Sequence, residues 1–418
     1  MSVAALVAFA GVFSLGVIFA ILGSIKLKLV ERLSIDDAQV GKLFSTLMFS
    51  ALIASLIIGP LTDIAGYGAI AFTGFALSGI SLWLLAVARS YRSAVVACFL
   101  LGIAAIGVNT GNVLGPTVLF DGQDPSRASN LLNILFGLGA LITPLILAFA
   151  IGAIGYKKTV GLIGAILFVQ IVLPFFAEFP SPGRAFDFVY SLRLLANPAV
   201  VLGGMGLFCS IAVQSCLAGF ITTYLKSYQF SDATAGTLLS GFWVALILAR
   251  IIATTMPPAV APGLVLPIIS LLMAITIGIM IIVHSPFAAA ICALLSGFFL
   301  GPVFPTLVGE SLSKTDAIAA GTAGSVFGLI FAAGLCGGII VPTLTGKYAV
   351  KQGIRRSFRI CLFVAIALTV ISSVFYFVPT MEAELPEEAI GDAPVSAIGI
   401  QDLISGEPSD EMPGETPP

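Results

Sequence analysis

Amide side chains stand inside several long apolar stretches of the sequence. Asn109 and Asn112 are three residues apart, so on a helix they share one face. Asn133 and Gln214 are further amides in such stretches. An amide offers both donors and acceptors, which suits a neutral solute with several hydroxyl groups. The alternative is a hydrogen bond between helices, worth about 1 kcal/mol in a membrane, and the sequence leaves both interpretations open.

An aromatic ring and a positive charge follow in the second half of the chain. Trp243 and Arg250 are seven residues apart, which places them two turns apart on the same helix face. The Trp243 ring can stack on the apolar face of a sugar ring or serve as an ordinary core aromatic. Arg250 can bind an anionic group of a solute or brace its helix through carbonyl groups. Because Arg250 is close to the end of its apolar stretch, the sequence favours the brace.

Acidic side chains are scarce in the apolar stretches, and only Asp63 and Glu310 approach membrane depth. A buried carboxyl group is a natural proton carrier, because burial raises its pKa. The first and fourth stretches contain no acid. The sequence therefore does not support proton symport, and it favours facilitated diffusion or coupling to another ion. We assign Asp63 and Glu310 to gating or coupling, although Glu310 can equally cap the loop that follows it.

The composition places these residues in a membrane protein. Of the 418 residues, 58% are hydrophobic and 10% are charged, and the mean hydropathy is +1.11. A soluble protein carries about 25% charged residues, so a soluble domain is excluded. A helix needs about 20 apolar residues to cross the bilayer. Twelve stretches qualify: roughly 3–24, 38–60, 68–88, 93–118, 129–153, 159–179, 197–225, 234–255, 262–283, 286–309, 319–345 and 357–378.

Glycine and proline repeat in the same order in the two halves of the chain. The pair Gly115-Pro116 recurs 186 residues later in the stretch Phe298–Val308, and Gly139 with Pro144 recurs 198 residues later. We therefore expect an all-α membrane protein of two six-helix, pseudo-symmetric halves, with broken helices at a central cavity. The halves would be residues 1–179 and 197–378. They would be joined by a linker (180–196) and followed by an acidic, disordered tail (379–418) with ten acids and no base.

The loop after the second stretch resembles a signature of the major facilitator superfamily. It reads Gly59-Pro60-Leu61-Thr62-Asp63-Ile64-Ala65-Gly66-Tyr67-Gly68, and its Asp and outer glycines match the superfamily pattern. The resemblance implies a gating role for Asp63. The three basic positions of the pattern are absent. In the superfamily those bases help to lock the two halves together on the cytoplasmic side, so the sequence puts that lock in doubt here.

Four stretches resemble the fucose/glucose/galactose permease type within that superfamily. They are Ser129–Pro144, Ser240–Trp243 followed by Ala249-Arg250, Gly301–Thr306 and Gly321–Gly324. The resemblance implies both termini in the cytoplasm. On that topology five Lys and Arg residues fall inside and fourteen outside, the opposite of the positive-inside rule. Either the chain is inverted, or an inserted homologous fold overrides the rule, and we keep the family topology. A miscount of the spans is disfavoured, because shifting one span would break the matches between the halves.

These observations together predict a secondary transporter in the cell (inner or plasma) membrane. It would move a small polar solute, a monosaccharide or a similar compound, by alternating access, and we expect a monomer. The predicted site joins Asn109, Asn112, Asn133, Gln214 and Trp243, with Arg250 as a further candidate. The alternatives are an amphiphile, drug or organic-anion transporter of the same fold, or a membrane receptor or scaffold without transport.

Other classes of function lack their residues. The sequence has no phosphate-binding Gly-rich loop that ends in Lys-Ser/Thr, and the six cysteines and the single histidine have no metal-ligand spacing. There is no basic patch for nucleic acid. We therefore predict no enzymatic activity and no cofactor. The partners would be the small-molecule solute and the lipid bilayer, joined, if transport is coupled, by an ion that the sequence does not identify.

Overall fold

The computed structural model describes residues 2–181, 194–257 and 260–380, and these residues are helical with short connections. Most of the predicted linker 180–196 lies outside them, as does almost all of the predicted tail 379–418. The division of the chain at that linker therefore stays a prediction.

Twelve helical spans in the described residues are long and apolar enough to cross a membrane, as predicted. We number them span 1 to span 12 in chain order. Their bounds are Val3–Lys26, Gln39–Ala65, Tyr67–Val87, Tyr91–Val118, Pro125–Ile154, Tyr156–Phe176, Pro198–Lys226, Ala233–Thr254, Pro262–Ile282, Pro286–Lys314, Ala323–Gln352 and Ile354–Tyr376.

Polar caps and prolines set where many of the spans begin. Asp36 and Gln39 form a reciprocal capping box at the start of the second helix. Asp124 caps span 5, which has Pro125 in its first turn, where the missing N–H has no helical partner in any case. Spans 7, 9 and 10 also begin with a proline. Local sequence thus fixes the ends of helices whose apolar interiors would otherwise leave the boundaries undefined.

Two one-residue connections show the internal repeat directly. Gly155 joins span 5 to span 6 with φ 82° and ψ 158°, and Gly353 joins span 11 to span 12 with φ 84° and ψ 157°. Only glycine adopts this backbone conformation without strain. The two glycines are 198 residues apart, the same offset that relates Gly139 to Gly337. The same tight turn therefore occurs at corresponding places of the two sets of six spans.

Within each set, glycines allow one pair of spans to pack backbone against backbone. A Cβ atom added at Gly139 in span 5 would lie 2.4 Å from the Phe13 carbonyl oxygen of span 1. A Cβ atom added at Gly337 in span 11 would lie 2.1 Å from the Phe208 carbonyl oxygen of span 7. Membrane helices commonly pack through such small residues. These contacts hold span 5 and span 11 against their own sets.

Spans 4 and 10 are both broken, as the prolines predicted. Span 10 consists of the helices Pro286–Leu300 and Val303–Lys314, separated at Gly301-Pro302. Span 4 breaks at Thr110, several residues before Gly115-Pro116, and Pro116 lies inside the short helix Gly111–Val118. The repeated Gly-Pro pair therefore identified the right spans, but it did not locate the break in span 4.

Candidate solute-binding site

A cavity of about 550 Å³ lies between the first six and the last six spans. It reaches from mid-membrane towards the end at which span 1 finishes, which we call the open end. Its volume suits a small organic ligand. Most of the wall is apolar and aromatic. The aromatic lining residues are Phe19, Phe44, Phe136, Trp243, Phe304 and Phe331.

Few polar side chains interrupt this aromatic wall. Three of the predicted site residues that line it are Asn133, Gln214 and Trp243, and Ser24 and Ser215 add hydroxyl groups. Gln214 and Trp243 are partly exposed to the cavity. The neighbouring Phe242 is fully buried, and its ring lies edge-on to the Trp243 ring. Of the two aromatics, Trp243 is thus the one positioned to contact a solute.

The three asparagines form one buried hydrogen-bonded chain. The Asn112 amide nitrogen donates to the side-chain oxygen of Asn109 over 2.7 Å, and the Asn133 amide nitrogen donates to that of Asn112 over 2.7 Å. Asn109 and Asn112 are completely buried and do not line the cavity, whereas Asn133 does. The bond between Asn133 and Asn112 therefore links span 5 to span 4, the bond between Asn112 and Asn109 lies within span 4, and only Asn133 reaches the cavity.

Arg250 lies at the floor of the cavity and is 1% exposed. Its Nε donates to the Gly301 carbonyl oxygen over 2.8 Å, and its Nη1 donates to the Asn133 carbonyl oxygen over 2.5 Å. The Gly301 carbonyl is available because Pro305, four residues later, has no N–H to donate. Arg250 thus joins span 8 to the break in span 10 and to span 5, in the manner of the predicted brace.

The hydrogen bonds that join the two sets of spans cluster at the opposite end of the bundle, the closed end. Asp63, at the end of span 2, accepts from the backbone N–H groups of Gly324 and Ser325 over 2.8 and 2.7 Å, and from the Ser325 hydroxyl over 2.6 Å. These N–H groups belong to the first turn of span 11, where the helix dipole favours a carboxylate. Asp63 therefore caps a helix of the other half without the missing bases of the signature.

Glu310 and Asn130 lie at a second crossing of the closed end. The Ser126 hydroxyl donates to Glu310 over 3.2 Å, and the Asn130 amide donates to the Thr306 hydroxyl over 3.0 Å. Both pairs connect span 5 with span 10. They border a separate cavity of about 520 Å³. Glu310 is therefore remote from the central cavity and belongs to the contact between the halves.

The family of the chain follows from its comparison with known proteins. Residues 2–328 match the Major Facilitator Superfamily. The chain belongs to the major facilitator superfamily. The predicted fold class is thereby confirmed, and the protein is a multi-pass integral protein of the plasma membrane. Members of this superfamily are transporters and not enzymes.

Curated relatives are distant. The chain is 24% identical over 385 residues to the uncharacterized MFS-type transporter YfkL of Bacillus subtilis (strain 168), a match that covers 87% of this chain and 93% of that protein. It is 25% identical over 240 residues to the protein TsgA of Escherichia coli O157:H7, which covers 55% of this chain and 59% of TsgA.

Solved structures share the fold over most of the chain. The Escherichia coli fucose:proton symporter FucP superposes with a TM-score of 0.70 at 19% identity, covering 89% of this chain and 99% of FucP. A structure of FucP in the outward conformation gives the same TM-score at 20% identity and the same coverage. The human organic anion transporter MFSD10 superposes with a TM-score of 0.73 at 16% identity, covering 88% of this chain and 99% of MFSD10. At these identities the likeness shows the fold alone.

Two residues that hold the closed end together, Ser55 and Arg127, were not predicted from the sequence. Ser55 donates its hydroxyl to the Gly328 carbonyl oxygen over 2.8 Å, and Arg127 donates to the Thr254 carbonyl oxygen over 2.8 Å. Small residues and isolated polar groups are common in membrane helices, so these positions carry no distinctive pattern. Gln170 of span 6 accepts a hydrogen bond from the Ser14 hydroxyl of span 1 over 2.9 Å, and so joins two spans of the same set.

Proposed function

We propose that this secondary transporter moves a small polar organic solute through the central cavity by alternating access. The observation that carries the proposal is the seam between the two sets of spans. At the closed end, hydrogen bonds join the two sets of spans. Towards the open end, the two sets enclose a cavity of about 550 Å³. A solute bound there has access to one side only. Transport then requires the closed end to separate and the open end to close.

The moving bodies would be the predicted halves, residues 1–179 and 197–378, with 180–196 as the connection. Arg250 and Asp63 make hydrogen bonds across that division. Such bonds are few and short-range, so the halves can exchange them for others during a rocking motion. The glycine-packed pairs of span 1 with span 5 and of span 7 with span 11 lie within one half each and would move as units.

The leading solute class is a monosaccharide or a compound of similar size. Gln214, Asn133 and the hydroxyl groups of Ser24 and Ser215 offer hydrogen bonds to hydroxyl groups. The Trp243 ring offers a flat apolar surface to one face of a sugar ring. The withdrawal of Asn109 and Asn112 into the asparagine chain leaves fewer amides for such a solute than the sequence predicted.

A hydrophobic or amphiphilic cargo is the second candidate, because six aromatic residues line the cavity. Aromatic rings bury large apolar areas and would bind such a compound with few hydrogen bonds. Competition separates the two candidates. Amphiphiles that inhibit uptake when sugars do not would favour the second.

Counterflow in proteoliposomes tests the proposal. Labelled monosaccharides are offered outside vesicles that contain a trapped pool of the same unlabelled sugar, so no ion gradient is needed and either orientation works. We expect transient accumulation of at least one sugar. Trp243→Ala should reduce that accumulation, while Trp83→Phe, a change on an exposed surface position, should leave it unchanged. Absence of accumulation for every sugar, together with accumulation of amphiphiles, would transfer the assignment to the second candidate.

A further inference from the structure

We propose that the solute carries a negatively charged group, a carboxylate or a similar organic anion, which pairs with Arg250. This inference rests on the proposed function. It narrows the class of small polar organic solutes to those with an anionic group. Arg250 is the only charged side chain among the described residues that line the central cavity. The inference follows from the hydrogen-bonding capacity and the charge of this side chain.

The guanidinium group has more donors than the protein uses. A guanidinium carries five N–H donors. Two of the five donate to the Gly301 and Asn133 carbonyl oxygens. For the remaining three, the described residues provide no acceptor within hydrogen-bonding distance. The two carbonyls hold the fork in a fixed orientation, so the remaining donors are preorganised for a planar, two-oxygen acceptor such as a carboxylate.

The charge of Arg250 is also uncompensated. Among the described residues no carboxylate forms an ion pair with it, and the two acids nearest to membrane depth, Asp63 and Glu310, accept hydrogen bonds at the closed end instead. A buried charge without a counter-charge is costly. Carbonyl groups offset only part of that cost, since they carry no net charge. An anionic solute would supply the missing charge at the cavity floor.

The other lining residues of the cavity indicate the chemical nature of the rest of the solute. Phe136 lies beside the guanidinium, with its ring centre 6.0 Å from the central carbon, and further aromatic rings continue the wall. Gln214 remains as a neutral amide, and Asn133 offers only its side-chain oxygen, because its amide nitrogen already donates to Asn112 and Ser129. The cavity therefore fits an organic acid with one anionic group and a compact body, either a ring or a short hydroxylated chain. A simple inorganic anion would leave the aromatic wall unused.

Intrinsic fluorescence provides a binding assay on the full-length protein. The chain has two tryptophans, and Trp83 is 57% exposed on the outer surface, so Trp83→Phe leaves Trp243 as a reporter in the cavity. The probes are two acids and their neutral amides, benzoate with benzamide and glucuronate with glucuronamide. We expect at least one acid to bind about tenfold or more tightly than its amide, the effect of one hydrogen-bonded charge pair. If neither acid binds better than its amide, the inference is wrong.

Variants of Arg250 and of a control arginine test whether the preference for the acid over its amide depends on Arg250. Arg250→Gln should reduce the preference for the acid to within about twofold, and Arg250→Lys, which keeps the charge but loses the fork, should keep a weaker preference. Arg356→Gln is the matched control, because Arg356 is exposed near the open end and, within the described part of the chain, bonds only to Gln352. An unchanged preference in Arg250→Gln would overturn the inference. Counterflow of a neutral sugar without any preference for acids would also overturn it, while leaving the proposed transport intact.

Discussion

The closed end and the central cavity use the same spans in opposite ways. At the closed end, a Cβ atom added at Gly309 in span 10 would lie 2.3 Å from Cα of Ser126 in span 5, so the two backbones touch. One turn away along span 10, the Thr306 hydroxyl still accepts a hydrogen bond from Asn130 of span 5. Further along the same span, the Phe304 side chain lines the central cavity. The two halves therefore touch where span 10 has a glycine, and the cavity lies where span 10 has a larger side chain.

The two regions also differ in how they hold charge. Asp63 satisfies its carboxylate with three donors from span 11, two of them backbone N–H groups at a helix N-terminus. Arg250 meets two carbonyl oxygens and retains unused donors. The Asp63 carboxylate therefore has donors for both of its oxygens, whereas the Arg250 guanidinium keeps donors without an acceptor among the described residues. This difference is what a transporter needs: one end that is stable without solute, and a site that is completed by it.

The largest expected effect comes from separating the backbones at the closed end. Gly309→Ala places a methyl group against Cα of Ser126, and the spans must move apart. Overpacking of this kind costs about 1–3 kcal/mol. The closed end should therefore open roughly 5–150-fold more often. The measurement is the labelling rate, by a water-soluble maleimide, of a cysteine introduced at Thr306, which is 4% exposed.

Gly219→Ala is the control for this change. Gly219 also lies within a span, but an added Cβ atom there meets no other atom within 4 Å. It should leave the labelling rate unchanged. Equal labelling rates in the two alanine variants would show that the backbone contact does not hold the closed end together.

The sequence predicts the fold better than it predicts the site. The spans follow from apolar length, and the repeat follows from glycine and proline order, both of which are local properties. Spacing shows that Asn109 and Asn112 share a helix face, but it does not show which neighbour that face meets. The cavity aromatics, such as Phe136, cannot be told from lipid-facing ones such as Phe149, because a membrane helix is apolar on every side.

The contacts of Asp63 at the closed end could not be predicted from the sequence either. Its signature lacks the bases of the superfamily pattern, so the sequence put the lock in doubt. In the structure, backbone N–H groups of span 11 donate to the Asp63 carboxylate, and no pattern of side chains records such donors. Contacts made by the main chain of a distant helix are therefore the part of the site that sequence reasoning could not reach.

Removal of the Asp63 charge should weaken the closed end by the next largest amount. Asp63→Asn keeps one acceptor oxygen but loses the charge that suits the N-terminus of span 11. Hydrogen bonds to a charged group contribute about 1.5–3 kcal/mol, so we expect roughly a tenfold rise in Thr306→Cys labelling. Ser325→Ala, which removes only the hydroxyl donor, should give a smaller rise. A larger rise in Ser325→Ala than in Asp63→Asn would contradict a lock based on the carboxylate.

Two amide variants should separate binding from packing. Gln214→Ala removes a cavity side chain, so solute counterflow should fall while the yield of folded protein stays the same. Asn112→Ala breaks both bonds of the asparagine chain and leaves the buried Asn109 amide without a partner among the described residues, at a cost of about 1–3 kcal/mol. The yield of folded, monodisperse protein should therefore fall in Asn112→Ala. Size-exclusion chromatography with counterflow on the same preparations makes the comparison, and a normal yield with reduced counterflow in Asn112→Ala would return Asn112 to the solute site.

The smallest effect is expected at Glu310, and its size tests what Glu310 does. Its hydrogen bond to Ser126 is 3.2 Å long and lies at the edge of the closed-end cavity of about 520 Å³. A glutamine oxygen can accept the same hydroxyl, so Glu310→Gln should change Thr306→Cys labelling by less than about threefold, the difference of a weak hydrogen bond. A change as large as that of Asp63→Asn would mean that the negative charge itself holds span 10 against span 5. Glu310 would then share the locking role with Asp63, and the closed end would depend on two charges rather than on one charge and a glycine contact.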